Sequence, residues 1–383
     1  MVINQSISLE KPLVKQSPIV IHVINGMAFG GIENICLEII KNSPPDAKNV
    51  LLYLDSERTE MLPLFKEIPN LTIINQDYKS DRRLPFIFNL ALKFREIKPQ
   101  AILLHVFGLH LFVGLAARIA RVPKIMVCPG NPVPEKDLSR LKVWKNIVLF
   151  SRLLKIPIHS CSQTVHNSLQ VLTKLPRNSY PINYGCDVKA IAARAEKSRQ
   201  QRSTNSPKVI GMVARLNTIK DHQTLIAAFN LVHRQFADTQ LWLIGDGEQK
   251  ETLQNLVDEL NLSEQVIFWG DRSDIPELLG QMDIYAFSTT EEEGFGIALI
   301  EAMAAKLPIV ASNASACCEV LGQGKAGALI EQGDAKALAT ALGNFLASEE
   351  KRREWGNKAY QYAATNHNIQ QCADKWYSIL LGN

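Results

Sequence analysis

Glu293-Gly294-Phe295-Gly296-Ile297-Ala298-Leu299-Ile300-Glu301 sets two carboxylates eight positions apart. The first is tied to a Gly-Phe-Gly turn and the second lies inside an apolar run. Phe295, Ala298, Leu299 and Ala302 recur at spacings of three and four, which predicts a helix starting near Gly294. Such a helix carries Glu293 at its N-terminal mouth and Glu301 about two turns in, near the same face. Bare N–H groups at a helix start bind phosphate. One element therefore offers a diphosphate cradle with a carboxylate above it and another beside it, the outline of a nucleotide-sugar site. The plainer alternative is one Glu that favours the helix dipole and a second on a solvated face.

Upstream and downstream of this element, short apolar runs end in small or charged residues. Val209–Val213 is followed by Arg215 and Lys220, Leu241–Ile244 by Gly245-Asp246-Gly247, Val266–Trp269 by Gly270, and Ile284–Phe287 by Ser288. Helical patterns separate them, so they read as parallel strands of an α/β sheet. Ligands of such sheets bind outside the carboxyl ends of the strands. Arg215, Gly245, Gly270 and Glu293 all fall at such ends, and that convergence weighs more than any single motif. A first α/β run opens at Pro18, with strand Ile19–Ile24, the loop Asn25 to Gly31 and a helix from Ile32 to Lys41. Its loop is not the G-x-G-x-x-G dinucleotide fingerprint, yet Gly30-Gly31 lets a backbone approach a ligand closely. Further strands are expected at Val50–Leu54, Leu71–Ile74, Ala101–Leu104 and Lys124–Val127, and closing helices at Ala335–Leu346 and Asn368–Leu381. The polar stretch Lys197 to Lys208 reads as the linker. The expected layout is a loose tail over 1–17, a first domain over 18–190, a second over 206–365, and a final helix over 366–383 that crosses back to the first.

With 383 residues the chain has room for two cores. Its seven Cys include no C-x-x-C, and Cys317-Cys318 are adjacent, so they read as reduced thiols of a cytosolic setting. Met1 to Ser17 lacks the apolar core of a signal peptide. Pro99 to Ala117 is uncharged for nineteen residues, enough for a membrane span, but Gly108 splits it into a buried strand, a turn and a helix. Residues 1–185 carry a net charge of +10 and residues 186–383 carry −6, which together make the +4 of the chain. Lys136 to Lys155 alone holds six Lys and Arg with one Asp, beside Trp144, Val148 and Phe150. It is a basic amphipathic helix, suited either to an anionic membrane surface or to packing on the core with its charges solvated.

In order along the chain, five stretches resemble a retaining glycosyltransferase of family 4, with its two-domain GT-B fold: Gly30-Gly31-Ile32-Glu33, Gly185-Cys186-Asp187, Val213-Ala214-Arg215-Leu216 with Lys220, Gly245-Asp246-Gly247, and Glu293 to Glu301. The resemblance implies two Rossmann-like domains facing across a cleft. It implies a sugar moved from a nucleotide-diphosphate sugar, such as a UDP-sugar, to a lipid-linked or polysaccharide acceptor in cell-envelope or exopolysaccharide synthesis. Arg215 and Lys220 would bind the diphosphate and stabilise the leaving group. Glu293 would hold hydroxyls of the transferred sugar. The N–H groups of Phe295 and Gly296 would meet the diphosphate, Glu301 the ribose and Arg272 the base, while Gly30 and Gly31 would lie against the donor. His105 and Asn131 are assigned to the acceptor side. Pro129 stands where the family often has His, and Tyr184 replaces the usual Asn of the turn before the linker. No Asp-x-Asp is present, and Arg with Lys can do a metal's charge work, so no metal or other cofactor is expected. Neither is a nucleic-acid partner. The expected location is cytoplasmic, peripheral on the inner face of the plasma membrane. Competing readings are a sugar-nucleotide epimerase of the same fold, a phosphorylase, and a catalytically degenerate partner that binds nucleotide only.

Overall fold

The computed structural model describes residues 17–134 and 138–382. The tail expected over 1–17 falls almost wholly outside them. In the first lobe, strands β1 (Ile19–Ile24), β2 (Lys48–Tyr53), β3 (Thr72–Asn75), β4 (Ala101–Leu104) and β5 (Lys124–Val127) alternate with helices α1 (Gly31–Lys41), α2 (Leu62–Lys66), α3 (Arg83–Ile97) and α4 (His110–Ile119). Helices α5 (Leu138–Leu153) and α6 (Gln163–Leu172) follow. The strands form one parallel sheet in the order β3-β2-β1-β4-β5. β1 and β4 are apolar along almost their whole length and buried on both faces, as parallel strands between helical layers must be.

After α7 (Val188–Gln200) the second lobe repeats the plan. Its elements are β6 (Lys208–Val213), α8 (His222–His233), β7 (Thr239–Ile244), α9 (Lys250–Glu259), β8 (Val266–Gly270), α10 (Ile275–Gln281), β9 (Ile284–Phe287), α11 (Ile297–Ala304), β10 (Ile309–Ser312), α12 (Ser315–Val320), β11 (Ala328–Ile330), α13 (Ala335–Leu346) and α14 (Glu349–Asn366); α15 (Ile369–Leu381) follows. Six parallel strands pair in the order β11-β10-β9-β6-β7-β8. Two Rossmann-like lobes therefore stand with their strand-end loops toward one another. Pro99 to Ala117 folds as β4, a turn and α4, and among the described residues no helix is long and apolar enough to cross a membrane.

The structure departs from the sequence reading in three places. The polar stretch expected as a linker begins inside α7, which packs Ile191, Ala195 and Ser198 against the second lobe. Its first four residues, Lys197 to Gln200, are the end of this helix and the rest is the turn into β6, and Ala195 lies so close to Gly280 that only a glycine fits there. The crossing between lobes is the shorter turn at Gly185-Cys186-Asp187. Helix α14, rich in charge and weakly amphipathic, had no expected counterpart. Lastly, β2 runs over Lys48–Tyr53, where Val50–Leu54 was expected.

The chain crosses between lobes a second time before α15. The two crossings are joined to each other: the Cys186 N–H donates to His367 O at 2.9 Å, and the Ile369 N–H to Cys186 O at 3.1 Å. A side chain at Gly185 would strike the Asn368 backbone at 2.8 Å. Helix α15 then packs on α1 and β4 of the first lobe, burying Trp376, Tyr377 and Leu380. The Tyr377 hydroxyl donates to Asn49 Oδ1 at 2.6 Å and accepts from His22 Nε2 at 3.1 Å. That fixes the His22 tautomer, leaving Nδ1 to accept from His105 Nε2 at 3.3 Å.

Candidate functional site at the seam between the lobes

Helix α11 starts at Ile297, three residues later than expected, with Gly296 before it at φ +86°. Gly294 and Phe295 are instead part of a turn, because Glu293 folds back on it. Its Oε1 accepts from the N–H groups of Gly294 at 3.0 Å and Phe295 at 3.3 Å. The Phe295 N–H thus already has a partner, contrary to its expected place as a free phosphate donor. The Phe295 ring is buried between Tyr184 and His367. Glu301 lies only five residues into α11, a little over one turn.

Glu293 is almost fully buried and pairs through its other oxygen with Lys220 Nζ. Burial pushes this carboxyl up, but the Lys220 charge and hydrogen bond and the two N–H groups outweigh it and hold the group below its ordinary value. Lys220 is itself only 16% exposed at the side chain. Its Nζ sits 4.5 Å from the centre of the Phe287 ring, a cation–π contact that orients it further. Lys220 and Glu293 come from the loops after β6 and β9, neighbours in the sheet, which is why residues 73 apart meet.

Arg215, in the same loop as Lys220, is exposed and faces the first lobe. Its Nη2 lies 3.9 Å from where a side chain would start at Gly30. The Glu33 carboxylate is beside the same point. Burial raises the Glu33 carboxyl above its ordinary value, and the charges of Arg215 and Arg58 only partly offset that. Gly31 lies against Ile297, the first residue of α11. The Gly-Gly loop of the first lobe therefore meets Arg215 and the helix start of the second. The sequence placed Glu33 in a motif; its closeness to Arg215 is visible only in three dimensions.

Glu301 reaches the first lobe too, where Asn34 Nδ2 donates to its Oε1 at 3.2 Å. Burial and the nearby Glu38 raise its carboxyl to about 7. Neither Asn34 nor Glu38 was singled out from the sequence, and nothing in their spacing would have done so. Arg272 is held by its near neighbour Asp274 through Nε at 2.8 Å and Nη2 at 2.6 Å, and lies over the Trp269 ring at 5.3 Å. It sits at the carboxyl end of β8, beside the Gly245-Asp246-Gly247 turn, whose Asp246 N–H is bound by Asp271.

Of the two residues assigned to the acceptor side, only Asn131 reaches the cleft. It is exposed and lines a cavity of about 390 Å³ between the lobes with Trp144, Ile219 and Glu292. His105 is 3% exposed and points at His22 beneath α15. It is a core residue: burial, and then the neighbouring His22, holds its imidazole well below the usual range. His22, Cys36 and His105 bring their ligand-type atoms within 4.8 Å of one another, but both His22 nitrogens are spent on His105 and Tyr377. A larger cavity of about 520 Å³, lined by Lys124, His159, Tyr180 and Ile379, opens at the amino end of β5. It lies away from the strand-end loops that carry the charged residues above.

The sequence model of the family "Glycosyl transferases group 1" matches residues 193–362. Among solved structures, Anabaena Alr3699/HepE in complex with UDP and glucose superposes with a TM-score of 0.81 over 95% of this chain and 99% of its own, at 20% identity. The chain has the two-lobed GT-B fold, and the group 1 glycosyltransferase model covers less than half of it, within its second half. Curated relatives include the N-acetyl-alpha-D-glucosaminyl L-malate synthase of Bacillus anthracis, 29% identical over 181 residues, which are 46% of this chain and 47% of that one. Another is the GDP-mannose-dependent alpha-(1-6)-phosphatidylinositol monomannoside mannosyltransferase of Mycolicibacterium smegmatis, 29% identical over 182 residues, 45% and 47% of the two chains. The chain spans about half the length of these curated relatives.

The raised Glu301 carboxyl has a testable sign. Its folded-state value, about 7, exceeds its ordinary value of 4.5, so the folded chain binds more protons between the two. Stability from this group is full below about pH 4.5 and declines as pH rises toward 7. Glu301→Gln, which keeps the amide oxygen for Asn34, should melt at the wild-type temperature near pH 4.5 and above it near pH 8. Equal melting temperatures at both pH values would refute the assignment.

Proposed function

We propose that this protein is a retaining glycosyltransferase of family 4, a hexosyltransferase that uses a nucleotide-diphosphate sugar. The observation that carries this reading is the Lys220–Glu293 pair, fixed at the carboxyl ends of β6 and β9, with Arg215 of the same loop meeting Gly30 and the start of α11 meeting Gly31. Cleaving a sugar–phosphate bond moves an electron pair onto the departing diphosphate. Arg215 and Lys220 meet that charge as it grows, so they act mainly in the transition state. The acceptor hydroxyl attacks the anomeric carbon from the side the diphosphate leaves, and its proton passes to the leaving phosphate oxygen. Glu293 holds sugar hydroxyls, the Gly296 backbone approaches the diphosphate, Glu301 takes the ribose in exchange for Asn34, and Arg272 borders the base. Support for a uridine nucleotide is the UDP bound by the Anabaena neighbour.

The acceptor in this reading is a lipid-linked saccharide or a growing polysaccharide of the cell envelope. A mannosyltransferase acting on a phosphatidylinositol mannoside is among the relatives. The first lobe also presents a surface suited to lipid. Leu84, Phe88 and Leu92 follow one stripe of α3 at 68%, 59% and 62% exposure, and Val143, Phe150 and Leu153 of α5 are exposed as well. Helix α3 packs on α4 and α4 on α5, and Lys142, Lys145 and Arg152 rise beside the α5 residues. Apolar side chains ringed by cations match an anionic interface. Residues 135–137, which complete the basic segment read from the sequence, are outside the described residues. The protein is accordingly assigned to the cytoplasmic side of the membrane, as a peripheral protein.

Incubation with UDP-, GDP- and ADP-sugars, with and without a polyprenyl-linked saccharide, tests the reading through release of nucleoside diphosphate. Acceptor-dependent release supports transfer; interconversion of the nucleotide sugar without release would mark an epimerase instead. In that assay Arg215→Ala or Lys220→Ala should lower kcat by about a hundredfold or more, the usual cost of one preorganised electrostatic group. Wild-type turnover in either variant would sink their role. Because side chains supply the positive charge, turnover should persist in EDTA; loss on chelation, restored by Mg²⁺ or Mn²⁺, would overturn this.

The surface makes its own prediction. Binding to phosphatidylglycerol vesicles should exceed binding to phosphatidylcholine vesicles and weaken as salt rises. It should weaken further when Lys142, Lys145 and Arg152 become Glu, each cation near such a surface being worth on the order of 1 kcal/mol. Equal binding to both vesicles, or none to either, would remove the membrane from the reading.

A further inference from the structure

The cavity beside Asn131 shares its walls with the two loops that carry the site's charge pair. Ile219 immediately precedes Lys220, and Glu292 immediately precedes Glu293. The opposite wall comes from the first lobe, from the loop after β5 and the start of α5. A molecule held there touches both lobes, against the residues that directly precede Lys220 and Glu293 in the chain.

Its lining combines two chemistries. Trp144, half-buried, forms an aromatic surface, with Pro132, Val143 and Ile219 around it. The indole is braced from behind: the Phe107 ring lies 4.8 Å from it, and His110 lies 4.9 Å from Phe107. The His110 imidazole is anchored in turn to Ser151 Oγ at 2.9 Å, so the tryptophan has a fixed backing rather than a free rotation. Around the rim stand an amide at Asn131, a guanidinium at Arg140 and a carboxylate at Glu292. A flat apolar plate edged by hydrogen-bonding groups fits a ring that is apolar on one face and hydroxylated at its edge, which describes a pyranose. A cavity of about 390 Å³ is in the range of small-molecule sites.

We infer that this cavity is the acceptor subsite, in which the terminal pyranose of the acceptor stacks on Trp144 and bonds at its edge to Asn131, Arg140 and Glu292. The inference rests on the glycosyltransferase reading above and adds to it where the acceptor's sugar lies and which residues select it. The outer side of α5 carries the exposed Val143, Phe150 and Leu153, so a lipid attached to that sugar would leave the cavity along the same helix.

Saturation-transfer difference NMR tests this with UDP and GDP as donor-side probes and the methyl glycosides of glucose, galactose and mannose as acceptor-side probes. In the wild type, one or more of the glycosides should show saturation of its ring protons while the nucleotide is bound. Trp144→Ala should reduce that signal at least fivefold and Asn131→Ala at least twofold, while Trp144→Phe retains most of it. The nucleotide signal should persist in all three. Asn131 is exposed, so its variant keeps the test informative if Trp144→Ala loosens the packing on Phe107. Ring-proton signals unchanged in both alanine variants, or absent from the wild type while a nucleotide signal is present, would overturn the subsite. A wild type without a nucleotide signal would instead undo the donor reading.

Discussion

A carboxylate taken out of water costs several kcal/mol unless it is paired and hydrogen-bonded. Glu293 meets that requirement with three partners, the Lys220 ammonium and the N–H groups of Gly294 and Phe295. Each partner has structural consequences. Lys220 must lie at the end of β6, which brings the loop bearing Arg215 to the cleft. The two N–H groups must turn toward the carboxylate, which keeps Gly294 and Phe295 out of α11 and delays the helix to Ile297. The turn then offers the Gly294 carbonyl to the first lobe, where Ser162 Oγ donates to it at 2.7 Å. One buried charge thus shapes the loop, the helix start and the contact between lobes.

That contact depends on the absence of side chains. A Cβ at Gly294 would collide with the backbone carbonyl of Gly130, so two backbones touch where side chains would hold the lobes apart. A second contact flanks it. The Glu319 carboxylate on α12 accepts from the Gln163 and Thr164 N–H groups at 2.9 and 3.0 Å. Those are unpaired donors at the start of α6, and a carboxylate is the favoured group at such a place. The cleft is therefore closed at its back by neutral backbone packing and a capped helix, leaving the charged residues around its mouth.

Much of this was legible in the sequence, because parallel α/β sheets write themselves as apolar runs ending in glycine or charge. β5 and α13 have the expected bounds, and Lys220 and Glu293 converge because strand ends do. What was not legible depended on three-dimensional partners. The helix start at α11 was misplaced since periodicity ignores a side chain that recaptures its own backbone. His105 was assigned to the acceptor because it ends a strand, but α15, arriving from more than two hundred residues away, covers it. Trp144 read as one more apolar residue of a basic helix, and only the opposing loops at Ile219 and Glu292 turn it into the wall of a cavity. The end of α7, Lys197 to Gln200, looked like part of a linker because the exposed end of a helix has a linker's composition.

The paired crossings at Cys186 and Asn368 also make the second lobe an insertion within the first, since both of its ends leave from one point. During synthesis, residues up to about 185 emerge first but lack α15, so β1 and β4 have one flank uncovered, with His22 and Asn49 without Tyr377. The second lobe, whose elements are contiguous from α7 to α14, has all of its own parts before the last helix is made. The lobe begun first is thus completed after the second, and its sheet edge near Lys124 waits for α15, where the Ile379 carbonyl accepts from the Lys124 ammonium at 2.8 Å.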